Sequence, residues 1–152
     1  MRSSWPCALG KNGVTADKRE GDHCSPAGTY PLRSVFYRPD KMKKPDCALP
    51  IHEISQTDGW CDDPHHADYN RQISLPFATS HETLWREDEL YDLVVVIGHN
   101  DAPPVPGQGS CIFMHVAKPG YDGTEGCVAL KKEDLLDLLK KIEKQTRISI
   151  QL

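Results

Sequence analysis

Two side chains in this sequence have the types and the setting for nucleophilic chemistry. Cys127 follows Gly126 in Thr124-Glu125-Gly126-Cys127-Val128-Ala129-Leu130, and His115 lies eleven intervening residues upstream, in Cys111-Ile112-Phe113-Met114-His115-Val116-Ala117. A thiol is mostly protonated at neutral pH, so a catalytic cysteine needs a nearby imidazole to take its proton and hold the thiolate as an ion pair. Gly126 adds no bulk, which lets the N–H groups of residues 126 and 127 converge on one point, as an oxyanion hole for acyl transfer requires. A cysteine is equally a small buried hydrophobe and a strand histidine a hydrogen-bonded structural residue, so spacing alone leaves both readings open.

The elements that must position this pair are mostly strands. Twelve prolines and eleven glycines interrupt nearly every apolar run before a long helix could form. Leu93-Val94-Val95-Val96-Ile97 is a continuous β-branched run, too short for a helix, and predicts a central strand buried on both faces. Residues 111–117 alternate, placing Ile112, Met114 and Val116 on one face and Cys111, Phe113 and His115 on the other. Thr29–Leu32 and Val35–Tyr37 read as short extended pieces, and 147–152 as a last strand. Lys132–Lys144 predicts a helix with Leu135, Leu138, Leu139 and Ile142 on one stripe; His81–Leu90 predicts a short helix capped by Ser80.

Composition narrows the function classes. The 152 residues suit one domain, without internal repeats, and no run of about 18 apolar residues exists to span a bilayer. The formal net charge of −4 has the wrong sign for a dedicated nucleic-acid binder. Gly59–His66 holds Cys61, Asp62, Asp63, His65 and His66, metal-binding residue types without a diagnostic spacing; the segment reads as a solvated rim loop, and no metal or other cofactor is expected. Trp60 and Trp85 read as loop anchors, and Lys41, Lys43 and Lys44 as a soluble face. In an oxidising compartment Cys7, Cys24, Cys47 and Cys61 could form two bridges in any of three pairings. The N-terminus lacks the apolar stretch of an export signal.

The order His, loop, Thr-x-Gly-Cys, together with the upstream Gly21-Asp22-His23-Cys24-Ser25-Pro26-Ala27-Gly28-Thr29-Tyr30-Pro31-Leu32, resembles the L,D-transpeptidase catalytic domain (YkuD-like), closest to the branch reading T-x-G-C-V-A-L. The resemblance implies a mainly β, β-sandwich-like fold with a few short flanking helices and long loops, as a single catalytic domain over 1–152. It implies a peptidoglycan-modifying acyltransferase working without cofactor, a monomer whose partners are the stem peptides of a periplasmic or otherwise wall-facing compartment. Cys127 would form a thioester, His115 would act as base, and Gly126 would help to hold the oxyanion, with His99, Asn100, Thr124 and Glu125 as substrate-binding residues. An amine acceptor then gives a cross-link. Water would instead make the protein an L,D-carboxypeptidase or amidase, and lost chemistry would leave a wall-binding module.

The chain departs from the family pattern at Glu125, where His is usual, and at Ala129, where the anion-binding Arg is usual; Arg71, Arg86, Lys118 and Lys131 are the possible replacements. Val116 stands where Gly normally follows the histidine, so His99, Asn100 or Asp101 is expected to orient the imidazole in place of that backbone carbonyl. Relatives in this branch often begin with an additional strand, which implies that Met1–Trp5 is a cut end.

Overall fold

The computed structural model describes residues 3–152; Met1 and Arg2, the start of the stretch read as a cut end, lie outside the described residues. The strands are β1 (Val14–Thr15), β2 (Ser25–Pro26), β3 (Gly28–Tyr37), β4 (Ile51–Glu53), β5 (Asp58–Cys61), β6 (Gln72–Ser74), β7 (His81–Thr83), β8 (Leu93–Ile97), β9 (Phe113–Val116), β10 (Val128–Leu130) and β11 (Arg147–Ile150). Helix α1 (Lys132–Lys141) falls between the last two strands. The expected mainly β class is therefore borne out.

The main sheet runs β10-β9-β8-β3-β11, with β4 also paired to β3. Strands β8 and β9 are antiparallel, whereas β10 lies parallel to β9 with Ala129 opposite His115. The apolar run of β8 is divided between two cores because its side chains alternate. Leu93, Val95 and Ile97 join Ile112, Met114, Val116, Val128 and Leu130 under α1, which contributes Leu135 and Leu139. Val94 and Val96 face the opposite side, with Phe36, Tyr91, Cys111, Phe113 and Cys127. On β3 an irregularity between Leu32 and Ser34 shifts the register, so Leu32 and Val35 reach the same core despite their odd spacing.

The second core is capped by the small sheet β6-β5-β7 and the segment that follows it. Trp60 of β5 meets Phe113 edge-on with centroids 5.2 Å apart and donates to Asn70 Oδ1 at 3.0 Å. Arg38, 5% exposed, lies 3.6 Å from the centroid of Trp85, forms two 2.8 Å bonds to Asp40 and donates to the Arg86 carbonyl at 2.6 Å. Trp85 thus anchors a loop, as expected, whereas Trp60 anchors strand β5.

Several local expectations are corrected. The predicted 81–90 helix does not form: His81–Thr83 pairs with β5, which supplies cross-strand bonds that a helix would forgo, and Asp88 then closes a turn by accepting from Leu90 N–H. Gly59–Cys61, read as rim loop, is the middle of that sheet, with Cys61 wholly buried. The regular part of the 111–117 strand begins only at Phe113, because Cys111 has a left-handed φ of 56°. Helix α1 stops at Lys141, with Ile142 extended but buried. All six cysteines are free, so the two proposed bridges are not formed. No helix among the described residues is long and apolar enough to cross a membrane.

Candidate active site

Cys127 sits immediately before β10, on the face that looks toward the small sheet. Its neighbour across the parallel ladder is Phe113, whose N–H donates to Cys127 Sγ at 3.4 Å. His115 is the next residue of β9 on that same face, about 7 Å further along the strand, and both side chains line one cavity of about 170 Å³. Strand periodicity and register therefore bring together two residues twelve positions apart.

The loop holding the sulfur is fixed by side chains from two directions. Thr124 Oγ1 accepts from Gly126 N–H at 3.1 Å and donates to the Cys127 carbonyl at 2.7 Å. Ser25, with no exposed surface, donates to the Gly126 carbonyl at 2.8 Å and accepts from Gly10 N–H at 2.9 Å. Gly126 has φ 139°, and a Cβ there would lie 2.8 Å from the Cys24 carbonyl oxygen, so both conformation and space require glycine. The two recognisable stretches of sequence, 21–32 and 124–130, are thus halves of one support.

Burial works against an ion pair in the resting site. Cys127 Sγ–H donates to the Cys111 carbonyl at 3.1 Å, and burial, reinforced by the Glu82 carboxylate, pushes the thiol up to about 12. His115 Nδ1 lies 2.9 Å from the Val116 carbonyl oxygen; a carbonyl can only accept, so Nδ1 carries the hydrogen and Nε2 keeps a free lone pair. Burial holds this imidazole below its ordinary range, against the carbonyl bond that favours the charged ring. Both shifts favour the neutral thiol and the neutral imidazole over the expected ion pair. The Val116 carbonyl also orients the ring despite the absent glycine. Asp101 is instead held by two 3.0 Å bonds from Arg33.

Of the other residues singled out by sequence, Thr124 and Glu125 line the cavity, whereas His99 and Asn100 line neither cavity beside the sulfur. His99 is buried edge-on against Tyr30 at 5.2 Å and lowered to about 4 by burial and then by Lys18. Asn100 braces its own loop through Val105 and Gly109. Arg86 and Lys118 line the His115 cavity; Arg71 and Lys131 do not. Ala129, buried at the usual arginine position, lines it too, and its N–H and carbonyl pair with Ala8 at 2.9 and 2.8 Å. Gly126 N–H, assigned to the oxyanion hole, is already engaged by Thr124; Cys127 N–H has no partner among the described residues.

Two wall residues escaped sequence reading. Tyr91 packs edge-on against His115, centroids 5.5 Å apart, and donates to Glu82 Oε2 at 2.6 Å. Burial raises the Glu82 carboxyl to about 7, against the Tyr91 bond and with help from Asp62 and Glu125. Nothing in the local pattern signals either role, because both depend on how β7 and the turn after it fold over β9.

A family model described as the L,D-transpeptidase catalytic domain, YkuD, matches residues 1–150. No curated protein and no solved structure matches the chain.

Proposed function

Because the chain belongs to the L,D-transpeptidase catalytic-domain family, we propose that it is a peptidoglycan-modifying acyltransferase in which Cys127 is the nucleophile and His115 the base. The observation carrying this reading is the shared cavity, in which a buried thiol and an imidazole with an available Nε2 face one space. Sγ attacks the carbonyl carbon of the stem-peptide bond to the terminal D-alanine while its proton passes to Nε2. The oxygen gathers negative charge, for which the Cys127 N–H is the available main-chain donor. The C–N bond then breaks, the imidazolium protonates the departing amine, and a thioester remains. An amine of a second stem peptide attacks that carbon, gives its proton to Nε2, and expels the sulfur, which is reprotonated.

A neutral resting pair makes this a general-base mechanism, in which charge appears only as the substrate bond begins to form. It also leaves the thiol unreactive while the site is empty. With alanine at position 129, Arg86 and Lys118 are the cations available to a substrate carboxylate on the His115 side. Arg86 already makes 2.8 and 2.7 Å bonds to Asp88, so exposed Lys118, free of any ion pair among the described residues, is the readier partner.

Incubation with a carbapenem should add one adduct mass to the wild type and none to Cys127→Ala. Purified muropeptides should yield D-alanine with cross-linked products. An unlabelled wild type that leaves muropeptides unchanged refutes the reading, and trimmed products alone make the protein a hydrolase.

A further inference from the structure

Cys127 forms part of the wall of a second cavity, of about 240 Å³, on the side away from His115. Glu82 and Glu125 line both cavities, but here they are joined by Glu20 and Asp62, with His23, Ser110, Cys111 and Ile112, and among the described residues no lysine or arginine takes part. Glu20 is internally satisfied, accepting from Tyr69 at 2.7 Å and Ser110 at 2.5 Å. The other three carboxylates make no ion pair with any described residue: Arg86 is taken by Asp88, and Lys18 by Asp22.

Two further features mark these groups as awaiting a partner. Asp62 Oδ1 is inaccessible to water yet has no hydrogen-bond donor, a state that native structures seldom leave unexplained. Glu82 uses Oε2 on Tyr91, while Oε1 has no donor and its carboxyl faces the space beside the sulfur. Three acidic groups left without a cation around a peptide-sized recess are complementary to a positively charged ligand group.

We propose that this cavity binds an ammonium group carried by the acyl-donor peptide, with Glu82, Asp62 and Glu125 as the specificity-determining residues. The inference rests on the acyltransferase reading for its substrate and concerns a different group of that substrate. The attacking amine must reach His115 and lose a proton, so it cannot be the amine held here, which stays charged on the opposite side of the sulfur. Occupancy also has a chemical consequence. Glu82 and Glu125 both hold the thiol upward, so a cation set between them eases ionisation of Cys127, and the correct donor activates the nucleophile that it acylates.

The test uses two synthetic stem tetrapeptides, one with its side-chain amine and one with hydrogen in its place. Their binding to the Cys127→Ala protein is measured by calorimetry, which needs no turnover. The amine-bearing peptide should bind at least tenfold more tightly, and adding Glu82→Gln or Asp62→Asn should remove most of that preference, read as the ratio of the two affinities within each variant. Circular dichroism confirms that each variant is folded. Equal binding of the two peptides, or a preference that survives both substitutions, overturns the proposal. Failure of the wild type to form the carbapenem adduct or to release D-alanine from either peptide counts against the acyltransferase reading, whereas the binding preference stands or falls separately.

Discussion

Ser25 offers a direct test of how the catalytic loop is held. Its hydroxyl is buried, donates to the Gly126 carbonyl and accepts from Gly10 N–H, at 2.8 and 2.9 Å. Ser25→Ala removes one oxygen atom and leaves a buried acceptor and a buried donor without partners. Each such group costs about 1–3 kcal/mol, so the substitution should destabilise the protein by about 4 kcal/mol. In a chain of this size that corresponds to a fall in melting temperature of roughly 8–16 °C. The freed Gly126 carbonyl also releases the residue before the nucleophile, so carbapenem acylation of Cys127 at 20 °C should slow even while the variant is folded. Ser149→Ala is the control, since its only side-chain bond among the described residues is an exposed 3.3 Å contact from Thr29; it should stay within about 0.5 kcal/mol of wild type. A Ser25→Ala protein that melts with the wild type and acylates at the same rate would refute the reasoning.

Two further outcomes follow from the site. Burial keeps His115 below the ordinary imidazole range, raises Glu82 to about 7 and raises the thiol to about 12, so the rate constant for acylation should rise as His115 loses its proton below pH 6.5, inflect near 7 as Glu82 ionises, and then stay level to pH 9. A second, descending limb near pH 8 would restore the ion pair. Because the folded-state pKa of His115 is depressed, its contribution to stability is present above the unfolded value and is lost as the pH falls through the folded one. Gly126→Ala must hold a side chain at φ 139° and 2.8 Å from the Cys24 carbonyl oxygen; about 2 kcal/mol or more of stability, read by thermal melting, should be lost together with most of the adduct.

What the sequence disclosed, and what it withheld, divides along the range of the interactions. The division of β8 between two cores, the two faces of 111–117 and the stripe on α1 follow from side-chain periodicity within one element, and all are found. The grouping of Cys127 with His115 followed from their family pattern, and its geometry from the register of a ladder. The 81–90 segment was misread because its charged residues suit a helix surface equally well; only pairing with β5, more than twenty residues earlier, decides otherwise. Glu82 was missed for the same reason, as its depth is set by the turn that buries Tyr91. The effect of burial on the charges of the pair was not legible, because desolvation depends on neighbours that the local sequence does not reveal.

The hydroxyl joining Ser25 to Gly126 spans 101 positions, and Ala8 pairs with Ala129 further along the same edge. During synthesis, the segment around Ala8 and Ser25 must therefore wait for the segment around Gly126 and Ala129 before either can settle. The brace therefore leaves the ribosome long before the sulfur it aims, and the loop before β10 takes its shape only once both segments are out.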